Sequence, residues 1–416
     1  MAAAPGRLRI LLLTPQLPYP PREGRSLRNY NLLRYLASRH QVSLLSFATP
    51  GACPEYLAHL RELCQAVETV PAPERRLSDR LRTLLTSRWP DMAWRLASPA
   101  FGAALLTWLT REHLDVLQVE GIEMARYLWE VAQVGNLPGA PETPLVVFDD
   151  HNAEYLLQKR AFLADARRPR RWVAAAYSLI QWRRLQFFER QVCRRAQRLV
   201  AVSDADAQAL TTLDPRLKPI VVPNGVDLEA YRPDFPPLAG LARPSLVFTG
   251  KMDFRPNIDA VLWFAREVLP RLWERCPTAH LYVVGQSPSP RLYVLRAEPR
   301  ITITGEVDDT RPYIAGADVY VVPLRVGGGT RLKVLEAMAM GRPIVSTRLG
   351  VEGLGLEERG EALLADAPED FARQILSLLD DGDLGRRLGE AARAFAERSY
   401  GWQSIGPRLE AAYGAT

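Results

Sequence analysis

The stretch 318–347 reads DVYVVPLRVGGGTRLKVLEAMAMGRPIVST. An apolar run, Val319 to Val322, leads into three glycines, Gly327 to Gly329; a helical segment follows, and a second apolar run starts at Ile344. Strand, glycine loop, helix, strand is the unit from which parallel sheets are wound, because parallel neighbours need a crossover that covers one face of the sheet. Thr330 is a good N-cap residue and predicts a helix with Arg331, Leu332 and Lys333 in its first turn. Leu332, Leu335, Met338 and Ala339 share a helical face assigned to the core, with Lys333 and Glu336 on the other side. Cations in a first turn oppose the helix dipole at a cost of roughly 0.3–1 kcal/mol each, so they make sense if an anion docks there. Glycines let backbone amides approach that anion closely. Glu336 stands too far along for a capping box, and a carboxylate there suits neutral hydroxyls such as a ribose diol. The competing interpretation is a surface helix with a Lys333–Glu336 i,i+3 pair worth about 0.2–0.5 kcal/mol.

The same alternation runs through the rest of the chain. Strands are expected in LRILLLT, QVSLLSF, LDVLQVE, PLVVFDD, LVAVS and LKPIVVPNGVD, then, beyond a proline-rich linker near 230–243, in SLVFTG, AHLYVVG, ITITG, DVYVVPL and RPIVSTRLG. Helical spacing appears between them, as in SLRNYNLLRYLASRH and NIDAVLWFAREVLPRLWERC, the latter expected as one helix. The fold class is therefore α/β, with two parallel-sheet domains, each sheet covered on both faces, and a cleft between them. Ligands of such sheets bind at the carboxyl ends of the strands, where Gly24, Gly250, Gly285, Gly305 and Gly327 to Gly329 fall.

Composition sets limits on function. The 416 residues are too many for one ordinary core, and 47% hydrophobic with 24% charged residues is ordinary for a globular protein. A net charge of +6 suits an anionic ligand, membrane surface or nucleic acid without choosing among them. Cys53, Cys64, Cys193 and Cys276 form no CxxC and no zinc-like cluster, which fits a reduced, cytoplasmic setting without a metal. Ile10 to Leu13 is too short for the roughly 7–15 apolar residues of a signal peptide, and Leu96 to Thr110 is too short for a membrane span of about 20. Neither first-strand turn carries a GxGxxG, which disfavours a nicotinamide oxidoreductase, and no nucleic-acid motif is present. Two stretches, ERRLSDRLRTLLTSRWPDMAWRL and KRAFLADARRPRRWVAAAYSLIQWRRLQFFERQVCRRAQR, mix arginine with apolar residues. Each suits peripheral contact with an anionic membrane, or a helix whose arginines are simply solvated. Ser203 and Asp206 of VSDADAQAL read as a structural capping box.

Taken together, FTGKMDFRPNIDAVLWF, LYVVGQSP, ITGEVDD, ADVYVVPL, GGGTRLKVLEAMAMGRPIVST and GVEGL resemble the donor domain of the retaining glycosyltransferases of family 4, which have the GT-B fold. PQLPYPPREGRS, DDHNAEY, VSDADAQAL and VVPNGVD carry a looser resemblance through the first half. The resemblance implies a first domain over 1–235, a donor domain over 236–395 and a terminal helix, 396–416, returning to the first domain. It implies transfer of a sugar from a nucleotide-diphosphate sugar to a glycan or lipid-linked acceptor, with retention and without metal or cofactor. Glu336 corresponds to the second Glu of the Glu-x7-Glu motif and would hold the ribose; Gly328 stands at the place of the first. The amides of Gly328 and Gly329 and the helix start at Thr330, Arg331 and Lys333 would meet the sugar or its phosphates. Gly250, Lys251 and Arg255 would neutralise the diphosphate, with Gly305 and Val307 beside them. His151 is the candidate catalytic residue, Asp150 and Glu154 being weaker ones; Gly24 allows backbone approach, and Arg25 faces the acceptor. A sugar-nucleotide epimerase or hydrolase, or a non-catalytic nucleotide-sugar binder, would use the same fold.

Overall fold

The computed structural model describes residues 6–21, 24–49, 53–134, 143–166, 171–327, 331–356 and 360–414. The chain forms two compact units, Met1–Pro223 with Ile405–Thr416, and Asn224–Ser404.

The first unit is a parallel sheet in the order β3-β2-β1-β4-β5-β6-β7. Its strands are β1 (Arg9–Thr14), β2 (Gln41–Ala48), β3 (Ala66–Pro71), β4 (Val116–Glu120), β5 (Leu145–Asp150), β6 (Arg198–Ala201) and β7 (Ile220–Val221). Helices α1 (Gly24–Ala37), α2 (Pro54–Leu63), α3 (Leu77–Thr86), α4 (Asp91–Arg95), α5 (Pro99–Arg111), α6 (Leu128–Val134), α7 (Glu154–Ala166), α8 (Trp172–Arg195) and α9 (Asp204–Leu213) lie between them. Central strands are apolar on both faces: Ile10 through Leu13 are buried, as are Val116, Leu117 and Val119. The stretch from Lys159 to Arg198 contributes to two helices, α7 and α8. Ser203 caps α9, its hydroxyl accepting from the Asp206 amide at 3.1 Å.

The second unit repeats the plan in the order β10-β9-β8-β11-β12-β13. Its strands are β8 (Ser245–Thr249), β9 (His280–Val284), β10 (Ile301–Gly305), β11 (Val319–Val322), β12 (Ile344–Ser346) and β13 (Leu363–Leu364). Its helices are α10 (Arg255–Trp263), α11 (Leu269–Trp273), α12 (Arg311–Ala315), α13 (Leu332–Ala339), α14 (Pro368–Asp380) and α15 (Gly382–Ser399), followed by α16 (Trp402–Ala412). In both sheets the chain order reverses beside the first strand, which is where doubly wound sheets open a crevice.

Three expectations change. The helix over NIDAVLWFAREVLPRLWERC is interrupted: α10 and α11 flank a wider turn at Phe264–Val268, next to Pro270, which has no N–H for the helical ladder. The 230–243 stretch is no free linker. Tyr231, Phe235 and Leu241 pack on the second core, and the Leu238 amide donates to Pro312 O at 2.9 Å. That packing draws the boundary back from 235 to Pro223/Asn224, and Val226 bridges Gly401 within the second unit. At the other end the second unit keeps the chain to Ser404, beyond 395, because α15 runs to Ser399 over its core. The end of α16 then joins the first unit: Glu410 accepts from Tyr35 Oη at 3.0 Å and Arg39 Nε at 2.6 Å, and lies 2.9 Å from His40 Nε2.

Candidate functional site

In the second unit, three neighbouring strands end on glycines. Gly250, Gly285 and Gly305 follow β8 and β9 and close β10, and the Gly250 amide donates to Val284 O while the Gly285 amide donates to Gly305 O. A Cβ on Gly285 would sit 1.9 Å from Gly250 O, and one on Gly250 would sit 2.7 Å from Lys333 Nζ. Only a residue without a side chain fits there.

Lys333 is brought over the end of β8 from the first turn of α13. Its ammonium donates to Asn257 Oδ1 at 2.9 Å and lies 4.1 Å from the centre of the Phe248 ring. Asn257 in turn donates to Lys251 O at 2.8 Å, tying the β8 turn to the cation. Burial pushes the Lys333 ammonium down to about 7, against the pull of Glu336 and with Arg331 adding to the drop. Glu336, one turn on, accepts from Tyr231 Oη at 3.2 Å, and burial raises its pKa while Tyr231 and Lys333 oppose the rise. The simple i,i+3 pair is therefore not what holds these residues: each has its own partner from another element.

The other expected site residues of this unit fall differently. Gly328, Gly329 and Thr330 lie outside the described residues. The helix opens at Leu332 with Arg331 at the cap, one residue later than expected. Arg331 is buried, its guanidinium donates to Leu349 O at 3.2 Å, and its carbonyl accepts the first helical bonds of α13, from the Val334 and Leu335 amides. Lys251 is exposed and 3.9 Å from Asp253 Oδ2; Arg255 is exposed at the start of α10. Val307 is half-buried against the second core. The core face of α13 is wider than expected, since Val334 and Ala337 are also buried. Sequence reasoning missed Asn257 and Tyr231, for which it held no signal: each meets its partner only through the fold. A cavity of about 830 Å³ in this unit opens at the amino ends of β8, β11 and β12, lined by Arg243, Asp318 and Pro343 among others, and includes neither Lys333 nor Glu336.

In the first unit, His151 follows β5 and is nearly buried, its Nε2 2.8 Å from Glu120 Oε2 at the end of β4. Gln118 Nε2 donates to the other Glu120 oxygen, and Tyr413 Oη donates to Gln118 Oε1. Asp149 is fully buried and takes Arg28 Nε at 3.1 Å and Nη2 at 2.8 Å; Arg28 Nη1 donates to Pro223 O. Desolvation holds His151 down to about 4, with Asp149 opposing and Arg28 and Arg25 reinforcing the drop. Desolvation raises Glu120 and Asp149, Arg28 pulling both back. Desolvation thus keeps His151 neutral at physiological pH, and its Nε2 is engaged by Glu120 Oε2 while Nδ1 stays outside that contact. Glu120, Asp149 and His151 offer oxygen and nitrogen atoms within 4.8 Å of one another, a spacing a metal accepts. The Arg28 guanidinium on Asp149 already supplies the positive charge there.

Arg25 donates to Glu123 Oε1 at 3.3 Å, and Gly24 opens α1 on the exposed side. Asp150 is turned into the interior with Glu189, and burial raises both, Glu189 to about 8. Glu189 also accepts the amides of Glu154 and Tyr155 at 2.9 and 2.8 Å, so it caps α7. Asp150 is accordingly a structural residue, while Glu154 stays near the site, its carboxyl pushed up to about 7 by burial.

The family description "Glycosyltransferase Family 4" matches residues 24–230, and "Glycosyl transferases group 1" matches 243–381. The chain belongs to the group 1, family 4 glycosyltransferases. Family members similar in sequence include the phosphatidyl-myo-inositol mannosyltransferase of Mycolicibacterium smegmatis, 29% identical over 47% of this chain and 51% of that protein. The D-inositol 3-phosphate glycosyltransferase of Streptomyces bingchenggensis is 29% identical over 51% of this chain and 52% of its own. The chain thus spans about half the length of the curated relatives it matches. Its GT-B fold is shared with sucrose-phosphate synthase from Thermosynechococcus elongatus (TM-score 0.66, 17% identity, 98% of each chain). It is shared too with Anabaena Alr3699/HepE in complex with UDP and glucose (TM-score 0.63, 15% identity, 99% of this chain and 100% of that one).

Proposed function

We propose that the chain is a retaining glycosyltransferase that moves a sugar from a nucleotide-diphosphate sugar to a glycan or lipid-linked acceptor at an anionic membrane face. The observation that carries this is the Lys333–Glu336 pair on α13, one cation and one carboxyl held separately over the end of β8. In this reading Glu336 accepts from the ribose hydroxyls, and Tyr231 holds its carboxylate in place. Lys333, with Lys251 and Arg255, stabilises the diphosphate as its charge grows on departure, without a metal. A charged Lys333 suits the anion, so donor binding takes up a proton near neutral pH. His151, neutral and fixed by Glu120, is proposed to contact the transferred sugar or the acceptor hydroxyl through Nδ1. The attacking hydroxyl gives its proton to the leaving phosphate oxygen on the same face, which retains the configuration. The names of the inositol-lipid and inositol-phosphate relatives support an acceptor carrying a polar, inositol-like head.

The test is calorimetric titration with UDP, GDP, ADP and their sugar conjugates with and without divalent metal, followed by product analysis with candidate acceptors. Micromolar binding of one nucleotide, unchanged by chelation, with transfer to an acceptor, is expected. Binding of none, or sugar release without an acceptor, would sink the reading.

A further inference from the structure

Helix α3 is amphipathic the wrong way round. Leu77, Leu81 and Leu85, four residues apart and so on one face, are 75%, 60% and 83% exposed, and α3 buries no residue at all. Its polar side is the one that is held. Thr83 Oγ1 accepts from Arg75 at 2.9 Å, Arg184 of α8 donates to Leu84 O at 2.7 Å, and Arg80 is held by Asp91 and the Tyr177 hydroxyl. A helix fastened by its polar groups with its leucines outward is not seeking its own core.

The charges beside that stripe name what covers it. Arg76, Arg80, Arg82 and Arg88 are exposed on or next to α3. The one acid in the helix, Asp79, is spent on the cap, accepting from the Arg76 amide at 3.0 Å. On the neighbouring α8, Val173, Ile180 and Phe187 repeat every seven residues and are 89%, 41% and 50% exposed. A second copy of this chain would set arginine against arginine. Three leucines also fall well short of the ~800 Å² per partner that a stable protein complex buries. An anionic lipid leaflet accepts both features at once: leucines enter the acyl boundary while arginines meet the head groups.

We infer that α3 is a membrane-docking helix that seats the first unit on an anionic phospholipid bilayer through Leu77, Leu81 and Leu85. The proposed lipid-linked acceptor supplies a reason for the docking, and the inference rests on that reading only for its purpose. The experiment is flotation of the full chain with vesicles of phosphatidylcholine alone or with 30% phosphatidylglycerol, without donor. Wild type is expected to float with the anionic vesicles and to be released by high salt, whereas Leu81→Asn/Leu85→Asn binds at least tenfold more weakly. Arg76→Gln/Arg82→Gln is expected to weaken binding to anionic vesicles only. Unchanged melting and nucleotide titration report that the variants are folded, since neither leucine is buried. Equal flotation of wild type and the leucine variant, or no flotation of wild type, overturns the inference. So does a concentration-dependent dimer that the leucine substitutions abolish. Because no donor is present, flotation without nucleotide binding would leave the docking intact and sink the proposed function, and the reverse result would do the opposite.

Discussion

The two units present acid and base at the carboxyl ends of sheets with the same strand order, and they treat them in opposite ways. In the first unit Arg28 and Asp149 are 2% and 0% exposed and paired at 2.8 Å, with Glu120 and His151 packed behind them. In the second, Lys333 rests on an amide and an aromatic face, and Glu336 on a phenol, both half-buried. A buried ion pair is expensive to break and has no spare charge to offer. A cation held by neutral groups has its charge still to be matched, and its lowered pKa reports the shortfall. The first arrangement is matched within itself; the second leaves a cation without a partner carboxylate in hydrogen-bond reach among the described residues, which is what the proposed diphosphate would match.

The largest effect expected from this contrast is on stability. Arg28→Ala would strand the Asp149 carboxyl in the interior, and the melt should show a loss of about 3–5 kcal/mol. Lys333→Met keeps the stem and removes a poorly solvated charge, so its melt should stay within about 1 kcal/mol of wild type. Equal losses would erase the distinction between the two units. Next in size is Glu336→Ala, where losing hydrogen bonds to a charged group, about 1.5–3 kcal/mol, corresponds to a roughly 10- to 150-fold weaker nucleotide titration. A variant that binds nucleoside diphosphate like wild type would remove α13 from the site.

Stability against pH sharpens the same comparison. Glu189 is raised to about 8, so between its ordinary value and about 8 the folded chain holds a proton that the unfolded chain has lost. Its contribution is complete below the unfolded pKa and is lost as pH rises through about 8. The melting temperature should therefore fall as pH rises from about 5 to about 8 and level off above that, and Glu189→Gln, which keeps a carbonyl for one of the two α7 amides, should flatten that slope. The smallest effect expected is that of Tyr231→Phe, which removes one hydrogen bond of about 0.5–1.5 kcal/mol: the melt should show no more than that loss, and nucleotide binding should weaken roughly 2- to 10-fold.

The sequence and the structure agree where a pattern is local. Strands β1, β4, β8 and β11 were legible because fully buried parallel strands are continuous apolar runs. β3 was not, since AVETVP lies at the sheet edge and fully buries only Val70, and β13 is two residues long. Lys333 and Glu336 were legible as charges misplaced on a helix start. Tyr231 and Asn257 were not, because they lie 105 and 76 residues from their partners and nothing local marks them. His151 stood out at a strand end, whereas Glu120, 31 residues earlier, looked like the ordinary polar close of a strand. The stretch that forms α3 was legible only as arginine mixed with apolar residues; which way its leucines point is set by the bonds of Arg184 and Asp91 to its polar side.

The most direct measurement is calorimetric titration of wild type and Lys333→Met with the preferred nucleoside diphosphate at pH 6.5 and pH 8.5, in buffers of different ionisation heat. Lys333 titrates near 7 in the free chain, and a bound diphosphate stabilises its charged form. The account predicts proton uptake on binding and an affinity that weakens by up to about tenfold per pH unit above 7, both absent in Lys333→Met, which binds more weakly at either pH. Wild-type affinity independent of pH, with no proton uptake and a Lys333→Met curve superimposable on it, would contradict the assignment of α13 to the diphosphate.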